Sequence, residues 1–199
     1  MTTFAIYCPE LPERYEAAKL HFAQMGVQAE FVRGIHAQTF GILSWRPYVL
    51  DYPTIGFLLP MAHVGLCLSH YMVWSIASFM NDDYVMIVED DAEFPADWKL
   101  RVDQSIADCP DNWDIILIGN SNCSDKPIEH VKGEVFIVKY PFCTHAYIVR
   151  KKALHVLLEK VRDASLKIDV ALIMMAYPHL NVYTVLTSIC LQRGTVLMP

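Results

Sequence analysis

The sequence has no run of lysine and arginine. Charged residues make up only 19 % of its 199 residues, and 16 basic against 22 acidic side chains leave a net charge of −6. Recognition of nucleic acid through a basic face is therefore not expected. A phosphorylated substrate is not excluded, because a bound metal supplies positive charge where the chain does not. The six cysteines, Cys8, Cys67, Cys109, Cys123, Cys143 and Cys190, contain no C-x-x-C pair. A structural zinc site is not expected, and reduced thiols are. The opening M-T-T-F-A-I-Y-C-P-E lacks the charged and apolar regions of a secretory leader, which points to a cytoplasmic chain. Repeats, low-complexity tracts and Gly/Ser linkers are missing as well, so one continuous domain over residues 1–199 is expected.

Two stretches, residues 52–81 and 170–192, carry no Asp, Glu, Lys or Arg. Each is long enough to span a bilayer. Pro53, Gly56, Pro60, His63, Ser69 and His70 interrupt the first, and Pro178, His179 and Asn181 the second. Buried core is the better reading, and peripheral membrane association stays compatible with it. With 54 % apolar residues the chain has ample material for a core.

The pattern is that of an α/β protein. Residues 3–8 (T-F-A-I-Y-C) read as a buried strand, and Pro12 suits a first helical turn. Tyr15, Ala18, Phe22 and Met25 recur at helical spacing before Gly26, and residues 29–32 form the next strand. Such a βαβ unit makes the first two strands parallel. Residues 34–54 read as an irregular excursion. A helix is expected from Pro60 to about Met80, a strand over 84–88, a helix over 96–108 and a buried strand over 113–119 (W-D-I-I-L-I-G). Residues 121–132 read as a polar loop, 135–138 and 146–149 as strands, 150–162 as an amphipathic helix, and 181–187 as the last strand.

The chemistry is concentrated in V-M-I-V-E-D-D-A-E-F-P, residues 85–95. Four apolar residues run into Glu89, Asp90 and Asp91, at the strand end where open α/β sheets place their ligands. In an extended chain Glu89 and Asp91 point one way and Asp90 the other. Two adjacent anions repel unless a cation lies between them, and Mg²⁺ or Mn²⁺ takes one or two carboxylates and leaves room for phosphate oxygens. The plain alternative is a solvated acidic turn, with Glu93 and Asp97 favouring the next helix N-terminus. A-H-V-G-L-C-L-S-H-Y-M-V-W, residues 62–74, places His63, Cys67, His70 and Trp74 on one helical face. Each histidine alone reads better as a satisfied core or surface residue than as a functional one. Asp169, in the otherwise apolar I-D-V-A-L-I, needs a partner, a cleft or a helix N-cap role.

Taken in order, these motifs resemble glycosyltransferase family 25, which includes bacterial lipooligosaccharide and collagen galactosyltransferases. The resemblance rests on Glu13-Arg14, R-G-I-H at 33–36, G-L-C-L-S-H-Y-M-V-W, V-E-D-D, W-D-I-I-L-I-G, T-H-A-Y-I-V at 144–149, and the I-D ending at Asp169. It departs at Ala62-His63, where the family often has Gly-Glu, and at Leu66, where it has Cys. The resemblance implies a single GT-A-like, Rossmann-like domain with a mixed, mostly parallel sheet. Residues 1–120 would mainly hold the donor and 121–199 the acceptor. It implies inverting transfer of a hexose from a UDP-sugar to a hydroxyl of a glycan, glycolipid or glycoprotein. Glu89 and Asp91 would hold Mn²⁺ or Mg²⁺, with His179 as a further candidate ligand. Pro9, Glu10, Arg14, His70 and Asp90 would contact the nucleotide sugar. Asp169 is the candidate base, with His145 second. The absent leader fits a bacterial or virus-encoded cytosolic enzyme better than the secretory collagen enzymes. A metal-dependent phosphoesterase and a non-catalytic nucleotide-sugar or glycan-binding module are the competing functions. The chain ends soon after its last expected strand, which is compatible with a further C-terminal segment or second domain in a longer natural protein.

Overall fold

The computed structural model describes residues 1–36, 61–119, 127–138, 141–162 and 166–194. The chain begins with β1 (Thr3–Tyr7), α1 (Pro12–Gln24) and β2 (Glu30–Arg33). It continues with α2 (Met61–Ser78), β3 (Tyr84–Glu89), the short β4 (Ala92–Glu93), α3 (Trp98–Asp108) and β5 (Ile115–Leu117). Then come β6 (Pro127–Lys132), β7 (Val135–Val138), β8 (Ala146–Arg150) and α4 (Lys151–Lys160). The short α5 (Ile168–Ala171) runs into a π-helical turn (Leu172–Ala176) and a 3-10 turn (Tyr177–His179), followed by β9 (Val182–Val185) and β10 (Leu191–Gln192).

Strand periodicity explains the layering. Along β3, Val85 and Ile87 enter one core, while Met86 and Val88 enter the other. Tyr147 and Val149 of β8 join the first core, and Ala146 and Ile148 the second. The first core takes Val73 and Trp74 from α2 and Leu154 and Leu157 from α4. The second takes Phe22 from α1 and Val102 from α3. Helices thus cover both faces, which is why the central strands read as unbroken apolar runs.

Among the described residues the main sheet has the order β2-β1-β3-β8-β5-β9-β7-β6, and β4 pairs separately with β10. β1 is parallel to both β2 and β3, as the βαβ pattern requires. β8 is antiparallel to β3 and β5, and β7 to β9 and β6, while β5 and β9 are parallel. Six strands therefore run one way and two, β8 and β7, the other. This is the mixed, mostly parallel sheet of a GT-A-like fold.

Several boundaries differ from expectation. The helix expected from residue 96 starts at Trp98, with Asp97 at its cap position but making no capping hydrogen bond. Residues 127–132, read as polar loop, form the edge strand β6, whose pairing with β7 shifts register twice. An edge strand needs no apolar run, so its sequence resembles a loop. Residues 37–60 and 120–126, including most of the expected excursion, Pro60 and Cys123, lie outside the described residues. Among those described, no disulfide forms and no helix is long and apolar enough to cross a membrane.

Gly119 ends the central strand against His145. A Cβ at Gly119 would overlap the His145 ring, which is buried. Gly119→Ala is expected to cost about 1–3 kcal/mol through overpacking. Urea unfolding should show a lower midpoint with an unchanged slope.

Candidate active site at the carboxyl edge of the sheet

The carboxyl ends of β1, β2 and β3 open into a cavity of about 530 Å³. Its lining includes Cys8, Glu10 and Arg14 from the first βα turn, His63 and Ser69 from α2, and Glu89, Asp90 and Asp91. Gln192 of β10 closes one side. Both the position and the size suit a small-molecule site in an open α/β sheet.

The acidic residues are not arranged as an extended strand would place them. β3 ends at Glu89, and Asp90-Asp91 form a turn. Asp90 therefore does not point away from its neighbours, and all three acids line the same cavity. Asp90 is buried, and its Oδ2 accepts the Cys8 N–H at 3.0 Å. Its Oδ1 pairs with the Arg14 guanidinium, which also lies 2.9 Å from Asp91 Oδ2. Arg14 is thus the counter-charge of two carboxylates. Their charge outweighs its desolvation and raises the guanidinium above its usual pKa.

Glu89 and Asp91 sit in opposite environments. Burial works against Glu89, but His70, the Thr144 hydroxyl at 3.0 Å and the nearby His145 outweigh it and hold its carboxyl below the ordinary value. Asp91 is pushed up by burial and by Glu89, against the pull of Gln192 and Arg14. Gln192 Nε2 donates to Asp91 Oδ2 at 3.1 Å, while Asp91 Oδ1 is buried and has no hydrogen-bond partner among the described residues. That orphaned oxygen suits a single cation ligand. Among the described residues, no three His, Cys, Asp or Glu side chains converge into a metal cage. The donor set therefore fits a hard cation that takes most of its shell from a ligand's oxygens.

The remaining candidates are spread in and around the cavity. Glu10 lines the cavity and accepts the Cys8 thiol at 3.5 Å, and Pro9 sits in the same turn without being among the lining residues. His70 is fully buried behind Glu89. His145 is buried too, with Nε2 3.1 Å from the Cys190 carbonyl oxygen. Burial lowers its pKa, but the bonds to Cys143 and Cys190 and the charge of Glu89 raise it more. Asp169 is the second residue of α5, so it is not the cap, a place held by Lys167. Its Oδ1 accepts the Val170 N–H at 2.9 Å, and its charge acts on Cys67 and Tyr177, outside the cavity lining. His179 is exposed and acts electrostatically on Glu159, away from the acids. The sequence reading missed Gln192, which reaches the site through the β4–β10 pair, and it assigned no role to Thr144 or Tyr147.

A sheet of this order with a cavity at its carboxyl edge defines a GT-A-like α/β fold. The profile described as glycosyltransferase family 25 (LPS biosynthesis protein) matches residues 9–172, and the chain belongs to that family. It is 25 % identical over 159 residues to a glycosyltransferase 25 family member of Aedes aegypti, covering 75 % of this chain and 26 % of that protein. It is 29 % identical over 158 residues to procollagen galactosyltransferase 1-A of Xenopus laevis, covering 73 % and 26 %. It is also 24 % identical over 158 residues to the human inactive glycosyltransferase 25 family member 3, covering 74 % and 27 %. The chain thus spans about a quarter of the length of these relatives. A solved glycosyltransferase involved in glycosylation of the PBCV-1 major capsid shares the fold, with a TM-score of 0.55 at 9 % identity over 98 % of this chain and 94 % of that one.

The opposed environments of Glu89 and Asp91 have opposite consequences for stability. A carboxyl raised on folding is a penalty that is complete above its folded pKa and vanishes below the unfolded value near 3.8. Asp91→Asn should therefore raise the unfolding midpoint in chelator at pH 7, and the gain should fade toward pH 4. A carboxyl lowered on folding contributes stability above the unfolded value near 4.5, lost as pH falls through the folded value. Glu89→Gln should be destabilised at pH 7. Thermal unfolding across pH reads both signs.

Proposed function

We propose that this chain is a metal-dependent hexosyltransferase domain that uses a UDP-sugar donor and a glycan, glycolipid or glycoprotein hydroxyl as acceptor. The observation that carries this reading is the buried, unpartnered Oδ1 of Asp91 in a cavity shared with Glu89, Asp90 and Arg14. Family membership supports the transferase class. Asp91, with Glu89 beside it directly or through water, would hold Mn²⁺ or Mg²⁺. Bound there, the cation would offset negative charge on the departing diphosphate. Arg14 is already at this spot and gives the phosphates a second positive partner. Glu10 and the β1 end, which line the cavity, would face the nucleoside, and Asp90 keeps that end in register through the Cys8 N–H.

Transfer with inversion requires a base for the acceptor hydroxyl. Asp169, although outside the cavity lining, is favoured over His145, because Nε2 of the buried His145 is bonded to the Cys190 carbonyl, while among the described residues Asp169 is engaged through one oxygen, by its own helix.

A second reading is a domain that binds a nucleotide sugar without turning it over. Arg14 already pairs with Asp90 and Asp91 from within the chain, and some relatives are named inactive. The two readings separate in one series. Thermal stability is measured with UDP and several UDP-sugars, each with and without Mn²⁺, on wild type and Asp91→Asn. A ligand at ~100 times its dissociation constant stabilises by about 2.7 kcal/mol. A Mn²⁺-dependent shift for one UDP-sugar, absent in Asp91→Asn, and transfer to an acceptor are expected. Binding without transfer across a broad acceptor panel selects the second reading, and no shift with any nucleotide rejects both.

A further inference from the structure

Behind the cavity wall lies a chain of buried polar groups with a definite direction. Trp74 Nε1–H donates to the Tyr147 hydroxyl at 2.7 Å. Indole is a donor only, so the hydroxyl accepts there and has its own proton to give to His70 Nδ1, 3.0 Å away. Burial raises the Tyr147 hydroxyl far above its ordinary pKa, so it keeps that proton. His70 Nδ1 is then the acceptor, and the imidazole proton resides on Nε2. Nε2 faces Glu89 Oε1 at 3.5 Å and, among the described residues, has no hydrogen-bond partner. This last link is longer than a formed hydrogen bond, as is common before a ligand tightens a site. The same Oε1 accepts the Thr144 hydroxyl at 3.0 Å.

The elements make this arrangement specific. His70 and Trp74 are four residues apart on α2 and face the sheet together. Tyr147 alternates onto the α2 side of β8, and its ring stacks on His70 with centroids 5.8 Å apart. Glu89 follows Val88 and so turns to that same side. His70, Trp74 and Tyr147 are essentially inaccessible to solvent, so none of them touches a ligand in the cavity.

We infer that Trp74, Tyr147 and His70 form a hydrogen-bond relay that fixes the His70 tautomer and aims the Glu89 carboxylate into the cavity, making His70 and Tyr147 positioning residues for the donor site. The inference rests on the proposed role of Glu89 beside a cation and a diphosphate. Partners that orient a metal-binding side chain typically set affinity by 10–100-fold.

The test is titration of Mn²⁺ into the UDP-saturated protein by calorimetry, with thermal unfolding in chelator as the control for folding. Tyr147→Phe and His70→Asn should weaken Mn²⁺ binding by about 10–100-fold. His70→Gln, whose amide nitrogen takes the place of Nε2, should stay near wild type. If Tyr147→Phe does not fold, the contrast between His70→Gln and His70→Asn decides. Variants that lose thermal stability yet keep the wild-type Mn²⁺ constant would reduce the network to packing and overturn the relay. Equal losses in His70→Gln and His70→Asn also count against it. If the wild type itself binds no Mn²⁺ with UDP, the proposed cation site fails first and takes the relay's role with it. That outcome is visible before any variant is compared.

Discussion

The bond from the Cys8 N–H to Asp90 joins the first strand end to the turn after β3. Two segments more than eighty residues apart are held there by one buried carboxylate. Asp90 can remain in that position because Arg14, in the first turn of α1, supplies the counter-charge that a carboxylate withdrawn from water needs. The first βα turn, the acidic turn and the helix between them therefore form one unit. The cavity is the space that this unit leaves above the sheet.

Within that unit the three consecutive acids have separate roles. Asp90 is committed to structure, with both oxygens engaged. Glu89 is held from behind by Thr144 and His70, so its charge is favoured by the fold. Asp91 is left with an orphaned oxygen and a raised carboxyl, so its charge is a cost that the fold does not repay. Adjacent carboxylates pushed in opposite directions often mark places where a protein handles charge.

The central architecture was legible because β1, β3, β5 and β8 are buried on both faces and leave continuous apolar runs. The α1 pattern was equally plain, down to Gly26, whose positive φ ends the helix. β6 was not legible, because an outer strand with polar residues and irregular pairing has the composition of a loop. In the site, the acidic cluster and Arg14 were identifiable by type and by place in the fold order. Their mutual pairing was not, since it depends on Asp90 entering a turn rather than continuing the strand. Gln192 gave no local signal, because a two-residue strand brings it in from the far end of the chain. T-H-A-Y and S-H-Y-M-V-W each looked like separate motifs, and their meeting at Tyr147 and His70 is a product of sheet order.

The outer strand has a consequence for self-association. β6 begins with a proline, which has no N–H to offer, and its register slips twice against β7. Its exposed positions include Glu129 and His130, and Lys132 is drawn sideways to Asp108 of α3. A flat strand with free hydrogen-bonding groups would invite another chain to extend the sheet, whereas a kinked, charged one resists it. The features that made β6 look like a loop are those that make this margin of the sheet a poor template for aggregation.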